Sequence, residues 1–124
     1  MGSATRVLVV ESKADLAEGW VRHLQSLGVS VRWEAEADLA IRALEQERFH
    51  VILIDLMLSE GGALAVADYA RFRHTGTNVI FVTDTTVFSD GSIFGLMPNV
   101  RAFLESHTPP DDLAAMVQHY ARPI

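Results

Sequence analysis

Residues 51–58 read Val-Ile-Leu-Ile-Asp-Leu-Met-Leu, a run with one charge, and Ser59-Glu60-Gly61-Gly62 follow at once. The run is too short to cross a bilayer and too β-branched for a comfortable helix. Residues 51–54 are therefore read as a strand buried on both faces, as in a parallel sheet. Asp55 then falls where the strand gives way to its loop. A carboxylate beside so apolar a segment is expensive unless it opens onto solvent, and the C-terminal edge of a parallel sheet is where open α/β folds place their ligands. Asp55 is thus the first candidate for chemistry, with a loop-capping role as the structural alternative.

Four more strands are expected from similar patterns: residues 6–10, ending beside Glu11; 29–33, whose alternation suits an edge; 79–82, running into Thr83-Asp84; and 100–104. Between them lie helical patterns. Ser12-Lys13-Ala14-Asp15 has capping-box spacing, Leu16, Trp20, Leu24 and Leu27 recur at helical intervals, and Gly28 supplies the stop. Ala37, Ala40, Ile41 and Leu44 mark a second helix, with Asp38, Arg42, Glu45 and Glu47 read as its solvated face. Residues 64–73 form a third, with Val66, Tyr69 and Ala70 inward. A short or irregular helix is expected over residues 87–97, where Gly91, Gly95 and Pro98 compete with Phe88, Phe94 and Met97. Thr108-Pro109-Pro110-Asp111 opens the last helix, striped by Leu113, Met116, Val117 and Tyr120.

Strands alternating with helices through short loops predict right-handed βαβ crossovers and a doubly wound, flavodoxin-like α/β sheet of order 2-1-3-4-5. That order brings Glu11, Ser12 and Asp55 to one crevice, closed on its other side by Thr83 and the end of the fifth strand. At 124 residues and 49% hydrophobic content, residues 1–124 are expected to form one domain with a core over about residues 6–121. A formal net charge of -6 disfavours binding to nucleic acid, and the lack of cysteine removes disulfides, thiolate metal sites and thiol nucleophiles. Without a signal-peptide pattern or an apolar run of roughly 18 residues, no membrane association is expected and a cytoplasmic location is. Five histidines are scattered without metal-ligand spacing, and only His107 is expected near the crevice.

Asp55 in Ile-Asp-Leu-Met-Leu, Thr83 in Phe-Val-Thr, Phe103, and Pro110-Asp111-Asp112-Leu113 together resemble the receiver domain of two-component response regulators, along essentially the whole chain. The resemblance implies a non-enzymatic signalling module. It makes Asp55 the phosphoacceptor for a histidine kinase, Thr83 the hydroxyl that contacts the phosphoryl group, and Phe103 a switch aromatic. It also implies Mg²⁺ held by an acidic pair after the first strand, by Asp55 and by the backbone carbonyl of Met57, with a lysine after the fifth strand pairing with the phosphoryl group. Here the acidic pair becomes Glu11-Ser12, the expected lysine position falls at Ser106, and Lys13 is the only lysine in the chain. Asp84 and Glu105 add negative charge beside the crevice. A phosphoryl group brings roughly -1.5 to -2 further charge, so the expectation is weak or lost Mg²⁺ binding and poor phosphorylation.

The first functional reading is therefore an atypical receiver acting by protein contact, through a face at residues 87–121, with a homodimer left open. The second is conventional Mg²⁺-dependent phosphorylation of Asp55. A small-ligand or enzymatic flavodoxin-like domain is disfavoured, because no glycine-rich phosphate loop follows the first strand. Plainer roles stand beside these: Ser12 as helix cap, Thr83 as a β-branched strand residue, Phe103 as core.

Overall fold

The structure, a computed structural model, describes residues 5–58, 61–84 and 98–121. Its elements run β1 (Arg6–Val10), α1 (Ala14–Ser26), β2 (Ser30–Glu34), α2 (Ala37–Gln46), β3 (Val51–Asp55), α3 (Gly62–Arg73), β4 (Asn78–Thr83), β5 (Val100–Glu105) and α4 (Pro110–Tyr120). The strands form one sheet of order β2-β1-β3-β4-β5, and every pairing is parallel. The expected flavodoxin-like topology is the one observed. The expected helical stretch at 87–97, with Phe88, Phe94 and Met97, lies outside the described residues.

Strand periodicity sends alternate residues to opposite faces, and two cores result. Leu8, Val10, Ile52, Ile54, Val79 and Phe81 pack with Ala40, Leu44, Val66 and Ala70 of α2 and α3. Val7, Val9, Val51, Leu53, Ile80 and Val82 pack with Trp20, Leu24, Leu113 and Val117 of α1 and α4. Each such aliphatic side chain contributes roughly 1.5–3 kcal/mol on burial, which explains why the central strands tolerate almost no polarity until their ends. The partial exposure along β2 follows from its place at the sheet edge.

Helix ends show where local sequence signals succeed and fail. After α1, Gly28 takes φ 86° and donates its N–H to the Gln25 carbonyl, so the glycine stop forms as expected. The capping box does not. Lys13 occupies the N-cap with no side-chain cap bond, and Ser12 is exposed. The Lys13 N–H, one residue before the helix, is instead taken by the Glu11 carboxylate. Leu27 is also exposed rather than buried, because it lies beyond the last helical turn. Glu47 is more than a solvated charge: it pairs with Arg6 and, at 2.7 Å, with Arg32, tying the end of α2 to β1 and β2. Gly62, the first residue of α3, is needed for close approach, since a Cβ there would lie 2.8 Å from Ala37 Cβ.

Candidate functional site

Three strand ends build the crevice. β1 delivers Glu11, only 1% exposed, whose N–H donates to the Glu34 carbonyl at 3.2 Å. Its own carbonyl accepts from Trp33 Nε1 at 2.9 Å, so the edge strand β2 fixes the backbone on which this acid stands. The Glu11 carboxylate accepts the Lys13 N–H at 3.2 Å. β3 delivers Asp55, also buried, whose Oδ1 accepts the Met57 N–H at 2.9 Å, while Leu56 N–H reaches the Val82 carbonyl at 2.8 Å and holds the following loop to β4.

The two acids are in direct contact. Burial, the hydrogen bond with Asp55 and the Asp55 charge push the Glu11 carboxyl up to about 7, opposed by the Lys13 and Ser12 backbone N–H groups. Glu11 therefore holds a proton toward Asp55 at pH values where an ordinary glutamate is ionised. Trp33 was not singled out from sequence, although an aromatic with a donor on an edge strand beside an acidic strand end is the kind of residue that anchors such a backbone.

At the end of β4, Thr83 is buried, and its carbonyl accepts the Ser106 N–H at 3.0 Å, which draws the loop after β5 to the crevice. Thr83 and Glu105 are register partners. Ser106, at the expected lysine position, is half-buried; Asp84, Glu105 and His107 are exposed at the rim, as are Ser12, Lys13 and Met57. Phe103 is half-buried two positions before Glu105, and its ring meets Phe81 at 5.5 Å and 49°. It belongs to the packing beneath the crevice as much as to its wall.

Two adjacent buried carboxyls are a donor set a hard divalent cation can use, and Mg²⁺ commonly takes one or two carboxylates and completes its shell with water. The fit is limited, because among the described residues no cluster of three or more His, Cys, Asp or Glu is placed to hold a metal.

A five-stranded parallel sheet of this order, with acids and a buried threonine at its C-terminal edge, defines a flavodoxin-like α/β module. The family model of the response regulator receiver domain matches residues 7–118, and the chain belongs to that family of two-component signalling domains. Solved structures agree on the fold. A CheY-like receiver domain protein from Methanospirillum hungatei shares 22% identity over 96% of this chain and 94% of its own, with a TM-score of 0.84. A CheY-like receiver domain from Methylobacillus flagellatus shares 21% over 95% and 99%, with a TM-score of 0.80. The receiver domain of a sensor histidine kinase from Pseudomonas aeruginosa, solved with a magnesium ion in its active-site cleft, shares 21% over 96% and 98%, with a TM-score of 0.80. Among the described residues no helix is long and apolar enough to cross a membrane.

Proposed function

We propose that this chain is an atypical, non-catalytic receiver module of a cytoplasmic two-component or phosphorelay pathway, in which Asp55 accepts phosphate poorly or not at all and the signal passes by protein contact. The observation that carries this reading is the charge around Asp55. Glu11 lies against it with its own carboxyl pushed up to about 7 by burial and the Asp55 hydrogen bond, and among the described residues no ion pair reaches Asp55. Ser106 supplies a hydroxyl where a lysine would supply a charge-assisted bond worth roughly 1.5–3 kcal/mol. Mg²⁺ held by Glu11, Asp55 and the Met57 carbonyl would be weak, since Glu11 holds its proton more tightly than an ordinary glutamate and the cation must displace it.

The partner in this reading is a histidine kinase or another signalling protein, and its face spans residues 87–121, of which 98–121 are described. A second copy of the chain is an alternative occupant. The conventional reading, Mg²⁺-dependent phosphorylation of Asp55, is favoured by one observation: Asp55 and Thr83 both stand buried at adjacent strand ends, where acceptor and hydroxyl belong. Incubation with acetyl phosphate and Mg²⁺ followed by intact-mass measurement separates the two. The atypical reading expects no more than a trace of phosphorylated species. A stoichiometric gain of one phosphate, lost in Asp55→Asn, establishes the conventional one.

A further inference from the structure

α3 is apolar on two sides. Val66, Ala67 and Ala70 are buried against the sheet, while Leu64, Ala65 and Phe72 are exposed on its outer side. Phe72 is 67% exposed, more than any other large apolar side chain among the described residues. α1, by contrast, turns Asp15, Glu18, Arg22 and Gln25 to solvent. A lone exposed apolar residue needs no explanation, but these form a continuous surface. Ile41 of α2 and Ala65, Tyr69 and Phe72 of α3 line one open groove of about 430 Å³, and Asp68 and Arg73 complete its lining.

The spacing along α3 fixes how a second helix lies on it. Ala65, Tyr69 and Phe72 recur at intervals of four and three, the seam spacing of paired helices, and Asp68 and Arg73 fall directly beside that seam on opposite flanks. The Arg73 guanidinium lies over the Tyr69 ring, 5.7 Å from its centroid, which holds the charge at the border of the apolar stripe. Asp68 is exposed and joins no ion pair among the described residues.

Opposite charges on the two flanks make the surface complementary to itself in one orientation only. A two-fold axis parallel to α3 exchanges the flanks, so Asp68 of each copy meets Arg73 of the other. A two-fold axis perpendicular to α3 keeps each flank on its own side and sets like charge against like.

We propose that the α2–α3 face is a self-association surface on which two copies pair their α3 helices in parallel, with Tyr69 and Phe72 in the seam and Asp68 of each copy paired with Arg73 of the other. This face is separate from residues 87–121, and its use does not depend on phosphorylation of Asp55. The contact is much smaller than the roughly 20–30 residues a side of a standard interface, so the dimer is weak and reversible.

Sedimentation equilibrium of the full chain from micromolar to millimolar concentration is expected to show a monomer–dimer equilibrium. Phe72→Glu, at an exposed position, should weaken it by roughly tenfold or more while leaving the urea unfolding midpoint of the dilute protein unchanged. Asp68→Arg and Arg73→Asp each set like charges together in the self-pair, and each should also weaken association by roughly tenfold or more. An equimolar mixture of these two variants restores both ion pairs and should regain the parent affinity as a heterodimer. A parent that stays monomeric throughout overturns the proposal and leaves the groove to a different protein. A dimer unaffected by Phe72→Glu overturns it by placing the contact on another face, such as residues 87–121, and a mixture no tighter than its components overturns the parallel pairing.

Discussion

At its C-terminal edge the sheet gathers Glu11, Asp55, Asp84 and Glu105, whereas Arg6, Arg48, Arg71, Arg73 and Arg101 stand at the strand starts and helix ends of its other edge. Both groups are placed by the same rule. Parallel strands all begin at one edge and finish at the other, and the helices between them run back, so a residue's position within its βα unit decides the end it occupies. The upper edge has buried acids and, in Lys13, one exposed cation nearby; the lower has Arg101 held by the Asn78 amide and Arg6 by the Glu47 carboxylate. The contrast teaches that the described cations cluster at the edge away from Asp55, which is what the proposed atypical reading builds on.

The largest expected effect tests whether the upper acids are as strained as their contact implies. Glu11 binds its proton more tightly folded than unfolded, so its contribution favours folding below about pH 4.5 and is lost as pH rises through about 7. Glu11→Gln keeps a donor toward Asp55 without ionising. In EDTA, its stability relative to the parent should be near zero at pH 4.5 and rise to an advantage on the order of 3 kcal/mol at pH 8, read from urea denaturation. A variant that is less stable at pH 8 would show that the acids are compensated by something other than the Glu11 proton.

Next in size is restoration of the missing cation. Ser106→Lys combined with Ser12→Asp should raise Asp55 phosphorylation by acetyl phosphate and Mg²⁺ roughly tenfold to hundredfold, the equivalent of one charge-assisted phosphate bond. Intact mass reports the gain and Asp55→Asn locates it. No gain, with the fold confirmed by circular dichroism, would place the obstacle at Asp84 or in the loop shape and make the two edges less different in kind than in degree.

A smaller effect concerns how the upper edge is held. Trp33→Phe removes the donor to the Glu11 carbonyl while keeping an aromatic on β2, and should cost about 1 kcal/mol at neutral pH. The loss should be smaller in the Glu11→Gln background, because a neutral side chain needs less positioning. Additive losses would mean that Trp33 serves only the strand edge.

The sheet order was legible in the sequence because buried strands and amphipathic helices announce themselves by period, and that order places Glu11, Asp55 and Thr83 at the ends of β1, β3 and β4, while their roles come from the family resemblance. The site's electrostatics were not legible. That Glu11 is pushed up beside Asp55 depends on a contact across two strands, and that Trp33 supports its backbone depends on register with β2. Local patterns misled at the start of α1: the helix begins one residue later than the Ser12 capping box expects, with Lys13 at the N-cap and its N–H on the Glu11 carboxylate. The link between Asn78 and Arg101 was invisible for a related reason, since the two form no motif and are joined by the β4–β5 pairing and the chain's return to Tyr120.

The smallest effect separates the two edges by the sign of their response to acid. His74, at the end of α3, is buried near Arg48 and Arg73, and its Nδ1 has no partner among the described residues. Burial lowers its pKa, with the two guanidinium charges adding to the effect and a hydrogen bond to the Leu44 carbonyl opposing it. A histidine held neutral by the fold costs nothing while the unfolded chain is also neutral, and loses stability once pH falls through the usual histidine value of roughly 6.5. His74→Gln should therefore flatten the stability profile below about pH 6.5, where Glu11→Gln removes a slope of the opposite sign. The effect is the smaller of the two because the Leu44 bond offsets part of the burial at His74, whereas the Asp55 contacts reinforce it at Glu11. If both variants shifted the profile in the same direction, charge at the two edges would be coupled through the sheet, and treating them as independent sites would fail.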